Sequence, residues 1–99
     1  MRLFLAFLLL ATPALAQPTE LKFDIDKLCA WQKENNNMDV TECVRLEGEA
    51  KAMVPELESK ADATRKDDCT KEAQDFSGDS GFASYTVYTT CLKDGPQSY

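Results

Sequence analysis

Histidine is absent from all 99 residues. That removes the commonest general base and the side chain that ordinarily changes charge near neutral pH. No Cys-x-x-Cys pair occurs, and successive cysteines stand 14, 26 and 22 residues apart, which argues against a structural zinc site. Lysine and arginine form no cluster and are outnumbered, 11 against 17 acidic residues, for a net charge of −6. Nucleic acid and anionic membranes both reward clustered basic residues, so neither is expected as a partner. Beyond residue 16 no apolar run approaches the roughly 20 residues that a spanning helix needs.

What is present begins with an address. Residues 1–16, MRLFLAFLLLATPALA, have the short basic start and apolar run of a secretory signal peptide. Ala14 and Ala16 supply the small residues before an expected cleavage between Ala16 and Gln17. No cysteine follows the run directly, which argues against a lipid anchor. The expected mature chain, residues 17–99, is a single small domain with an ordered core over about 24–94. Loss of Arg2 leaves 10 basic and 17 acidic residues, a net −7. The excess acid serves solvation first, and it is also compatible with a basic protein partner. A periplasmic or secreted location follows from the leader.

Four cysteines in an exported chain this short point to two disulfides, Cys29, Cys43, Cys69 and Cys91 being the residues concerned. A domain of this size builds only a modest core, so each staple matters, at about 3 kcal/mol in the loop-entropy account. Cys29 and Cys43 lie equally far from Asn36, in the middle of the Asn35-Asn36-Asn37 turn. Cys69 and Cys91 are similarly placed about Phe76 and Ser84. Two helical hairpins, each closed by its own bridge, fit this symmetry. Nested pairing of Cys29 with Cys91 and Cys43 with Cys69 is the alternative.

The helices are read from caps and periodicity. Asp24 is an N-cap, with Phe23 and Leu28 at the positions of a hydrophobic staple, and the asparagine run ends that helix. Asp39 through Glu42 form a capping box, and Met38 and Cys43 occupy the staple positions around it. Val40, Cys43, Leu46, Ala50, Met53 and Leu57 then follow at helical spacing, and Glu47 with Lys51 is placed on the outer face. Pro55 is expected to break or kink the helix near Val54. Helix resumes over about 56–75, along Ala61, Arg65, Cys69, Ala73 and Phe76. Ser77 to Gly81 form a loop. The segment from Ser84 to Lys93 has strand propensity in Tyr85, Thr86, Val87, Thr89 and Thr90, yet Ser84 is a good cap and no second strand exists to pair with it. It is taken as helix, ended by Gly95 and Pro96. Gln17 to Lys22 and the last residues are expected to be loose. The fold class is all-α, a small bundle of three to four helices.

No residue is assigned a catalytic, cofactor-binding or metal role. Gly78-Asp79-Ser80-Gly81 matches a serine-protease nucleophile segment superficially, but no histidine is available as its base. Asp75, Ser77 and Asp79 have the spacing that opens a calcium loop, while Ser80 and Thr86 stand where glycine and a bidentate glutamate are required. Asp67-Asp68 and Glu47/Glu49 are expected to face water. Trp31, Phe76, Tyr85 and Tyr88 are expected core residues. Phe82, in a Gly/Ser loop, is either pinned there or an exposed anchor for a partner.

Cys43 to Lys51 and Ser84 to Leu92 resemble segments of small exported alphaproteobacterial proteins built from cysteine-bearing helical units. The resemblance spans most of residues 25–93 and implies fold and compartment rather than activity. More distantly, Cys29 to Ala50 is similar to the start of lysozyme-inhibitor-like (LprI N-terminal type) domains. In those domains an Ala-Asp-x-x-Leu-Asn signature follows, where this chain has Ala50-Lys51-Ala52-Met53-Val54-Pro55. The expected function is therefore a non-enzymatic interaction or structural role, with inhibition of a secreted basic enzyme such as lysozyme as the second reading.

Overall fold

The computed structural model describes residues 21–78 and 80–96. The expected leader, its cleavage at Ala16–Gln17 and most of the lead-in from Gln17 lie outside the described residues. So do Asp79 and the last three residues.

Four helices make up the described chain, and none of the described residues forms a strand. α1 spans Ile25–Asn36, α2 Val40–Lys60, α3 Ala63–Asp75 and α4 Tyr85–Asp94. Each starts on an extended residue whose side chain accepts an orphan amide of the first turn. Asp24 takes the Lys27 amide at 3.1 Å, Asp39 that of Glu42 at 2.9 Å, Asp62 that of Arg65 at 2.7 Å and Ser84 that of Val87 at 3.2 Å. α1 stops where Asn37 turns left-handed at φ 54° and ψ 34°, its N–H donating to the Lys33 carbonyl at 3.1 Å. α4 stops at Gly95, where φ is 95° and the N–H returns to the Cys91 carbonyl at 2.8 Å. A side chain there would meet a strained backbone as well as the neighbouring Arg65 guanidinium.

Disulfides join Cys29 to Cys43 and Cys69 to Cys91, with Cα separations of 5.7 and 5.4 Å. Each bridge ties the two arms of one hairpin, α1 to α2 and α3 to α4, so the nested pairing is excluded. α4 packs against both α2 and α3, while α1 packs against α2. The central cluster of buried residues is formed by Cys69, Ala73, Ala83, Val87, Tyr88, Cys91 and Leu92. Leu21, Phe23, Val54, Leu57, Ala61 and Phe76 pack around it.

Four expectations are corrected. First, α2 runs unbroken through Pro55 to Lys60, and the interruption falls at Ala61–Asp62. Pro55 is exposed, so its ring meets solvent, and it forgoes one intrahelical bond to the Lys51 carbonyl. The cap that ends the run is Asp62, whose carboxylate restarts the chain as α3.

Second, the inner face of α2 is Cys43, Glu47, Ala50, Val54 and Leu57. Val40 and Met53 are exposed, at 37% and 41%. Third, Glu47 is buried, at 3% exposure, rather than paired with Lys51 on the outer face. Fourth, the lead-in is tied down at Lys22. Its carbonyl accepts the Ala83 N–H at 2.6 Å, and its own N–H donates to Gln74 Oε1 at 3.1 Å. Phe23 forms an isolated parallel bridge with Ala83. Its ring stacks on Tyr85 at 3.8 Å and meets Tyr88 edge-on at 6.4 Å.

The capping box at Asp39 is half formed. Asp39 caps as expected, but the Glu42 carboxylate pairs with Arg45, which also bonds Glu49 at 2.7 Å. Arg45 is the chief reason that the Glu42 carboxyl titrates below its ordinary range.

Candidate functional site

α2 and α3 both pack on α4, and both of its ends are held by side chains from elsewhere. At the start, Ser84 donates its hydroxyl to Glu47 Oε2 at 2.6 Å and accepts the Val87 amide. Glu47 also accepts the Tyr85 amide at 2.6 Å and the Thr86 amide at 3.4 Å. A carboxylate at a helix N-terminus satisfies orphan donors and meets the positive end of the helix dipole. At the other end, Arg65 Nη1 donates to the Leu92 carbonyl at 3.2 Å, a cation at the negative end. Glu47 had one signal in the sequence: it lies on the stripe 43, 47, 50, 54, 57, whose steps of four and three keep a single face inward.

Tyr85 and Tyr88 follow from the same placement. Burial, with Glu47 nearby, raises the Tyr85 phenol above its ordinary range. Tyr88 donates to Glu58 Oε2 at 2.6 Å; burial first, then that bond, raises its phenol as well. Trp31 meets Phe76 edge-on at 6.3 Å.

The candidate residues of the loop are engaged locally. Ser77 is fully buried and donates to the Phe82 carbonyl. Ser80 donates to the Ser77 carbonyl at 2.8 Å and accepts the Phe82 amide at 3.0 Å. The Phe82 ring is half-buried beneath Lys27 Nζ at 5.7 Å, so it is pinned rather than projected as an anchor. Asp67 pairs with Lys71 at 3.5 Å on the exposed face of α3, and Asp68 is exposed beside it. Glu49 is exposed with Arg45, so the structure separates it from Glu47. Among the described residues no group of three or more His, Cys, Asp or Glu is placed to hold a metal ion. None of the helices there is long and apolar enough to cross a membrane.

Among the described residues, a cleft lies at each end of α4. The smaller, about 170 Å³, is chiefly apolar and lies between the hairpins, against Met38, Cys43, Leu46, Phe76 and Val87. The larger, about 480 Å³, opens where α2 ends, α3 begins and α4 ends, between Leu57, Lys60, Ala61, Arg65, Leu92 and Lys93. All four cysteines are buried at 1% exposure or less, so neither bridge is presented to solvent.

The chain matches no family model, no curated protein and no solved structure.

Proposed function

We propose that the protein is a non-enzymatic interaction protein of the bacterial periplasm or exterior, working as a rigid, disulfide-stapled surface. The observation that carries this reading is how the buried polar groups are used. Glu47 and Ser84 are committed to starting α4, and Ser77 to closing the loop, by hydrogen bonds within the chain. Those bonds give each group a structural role that accounts for its burial without a substrate. Two closed disulfides support an oxidising compartment.

The electrostatics favour a basic partner. Arg45, Lys60 and Lys71 pair with carboxylates, Lys27 and Lys51 lie over aromatic rings, and Arg65 ends α4. The acidic excess is left facing outward, as a docking field for a cationic surface. The second reading, inhibition of a secreted basic enzyme such as lysozyme, rests on the same excess.

Affinity capture from the native compartment, with oxidised protein as bait and reduced, alkylated protein as control, tests the first reading. A discrete protein retained only by the oxidised bait is expected; identical captures refute a folded interaction surface. The inhibitor reading is tested by adding the oxidised protein to a basic muramidase. It requires slower hydrolysis at micromolar protein that recovers as salt is raised, and unchanged hydrolysis at low salt rejects it.

A further inference from the structure

We propose that the larger cleft binds a small amphiphilic carboxylate, an anionic head on a short apolar tail. The cleft holds about 480 Å³, within the range of sites that enclose small ligands. Leu57, Ala61 and Leu92 provide an apolar wall, and Lys60, Arg65 and Lys93 bring three cations to the same opening. In a chain of net charge −6 with 11 basic residues, that convergence is a local reversal of sign.

Asp62 is the acidic residue of the lining, and its carboxylate already accepts the Arg65 amide at 2.7 Å. Arg65 gives one guanidinium N–H to the Leu92 carbonyl at 3.2 Å and keeps others for a head group. Lys60 pairs with Glu56 at 3.6 Å, both side chains being at least 70% exposed, so that pair yields readily to a better anion.

A purely structural account would have Lys60 and Lys93 offset the C-terminal dipoles of α2 and α4, whose last turns they occupy. That explains a lysine in each last turn. It does not explain why both lysines border one opening with an apolar wall. The apolar wall favours an amphiphile over a bare anion, and the cations favour an acid over a neutral tail.

Amide chemical shifts of the oxidised protein, titrated with decanoate, decyl maltoside and acetate in parallel, test this. Decanoate is expected to move the amides of Ala61, Leu92 and Lys93 and to saturate, with acetate and decyl maltoside at least about tenfold weaker. Replacing both Lys60→Gln and Lys93→Gln is expected to weaken decanoate about tenfold, while Lys60→Arg with Lys93→Arg keeps it. Arg65 is left intact because it ends α4. The proposal is overturned if decanoate does not bind, or if it moves amides elsewhere. Equal binding of decyl maltoside or acetate also overturns it, as does a glutamine pair that binds like the original.

Discussion

Glu47 and Arg65 hold opposite ends of one helix. Glu47 reaches the first turn of α4 from α2, across 38 residues to Tyr85. Arg65 reaches its last turn from α3, across 27 residues to Leu92. The acid stands at the positive end and the base at the negative end, so both charges agree with the helix dipole. An α-helix of 10 residues is marginal alone, and these two contacts with its packing make α4 a stable element.

Glu47→Ala should therefore destabilise the protein by about 3 kcal/mol, because it strips a charged acceptor from buried donors. Glu49→Ala, two residues away and exposed, should change stability by less than about 0.5 kcal/mol. Urea unfolding with the disulfides intact measures both. Similar small values for the two would remove Glu47 from its structural role.

Arg65→Ala should cost about 1 kcal/mol through the lost cap. Because Glu47 and Arg65 share no partner, the double variant should lose close to the sum, within about 0.5 kcal/mol. A deviation well beyond that would mean the two ends of α4 do not act independently.

The two bridges should not be equivalent. Chain entropy assigns about 3 kcal/mol to each. Cys69 and Cys91 lie in the central buried cluster with Ala73, Val87 and Leu92, whereas Cys29 and Cys43 lie outside it. Converting either pair to alanine empties a buried site, but the space left by Cys69 and Cys91 opens inside the central cluster, and their bridge closes the longer loop. That pair should cost at least about 1 kcal/mol more than the same change at Cys29 and Cys43. Paired unfolding curves decide, and the reverse order contradicts the core assignment.

Alkaline pH should weaken the fold through Tyr88. Its phenol is raised in the folded state, so above the ordinary range, near pH 10, unfolding releases a proton that the folded chain retains. The stabilisation is thus complete below about pH 10 and is lost progressively as pH rises from there toward the raised folded-state value. Tyr85 shifts in the same direction and adds to the decline. Tyr88→Phe should flatten part of the decline above about pH 10. All four cysteines are bridged, so no thiolate is present to start disulfide exchange during the measurement. A variant with an unchanged alkaline slope would show that Tyr88 does not govern it.

Pro55→Ala should stabilise the protein by about 2 kcal/mol, the gain from a restored helical bond exceeding the proline's restriction of the unfolded chain. A neutral or destabilising result, read from the unfolding midpoint, would argue against a continuous α2.

Local chemistry made much of this legible. Asp24, Asp39 and Ser84 announce their helices because a cap and the amide it binds lie three residues apart. The spacing of the cysteines about their turns favoured the two bridges that form. Glu47 was hard to read for the opposite reason: its partners lie 37 to 39 residues away, and beyond its place on the inner stripe a glutamate among glutamates looks like a wet face. Pro55 drew the helix break to itself while the i+4 series through Leu57, Ala61 and Arg65 ran on across the real one. The binding of Lys22 to Ala83 and Gln74 rests on backbone groups, which every residue type carries alike. The larger cleft went unseen because Lys60, Arg65 and Lys93 come from three separate helices.

Every member of the central cluster lies at or beyond Cys69, and four of the seven belong to α4. A ribosome delivers the amino end first, so Phe23, Glu47 and Leu57 emerge before the surface that will cover them exists. Native structure must therefore wait for the carboxy-terminal stretch of the chain. Until then, the inner face of α2 has no partner from α4 to cover it.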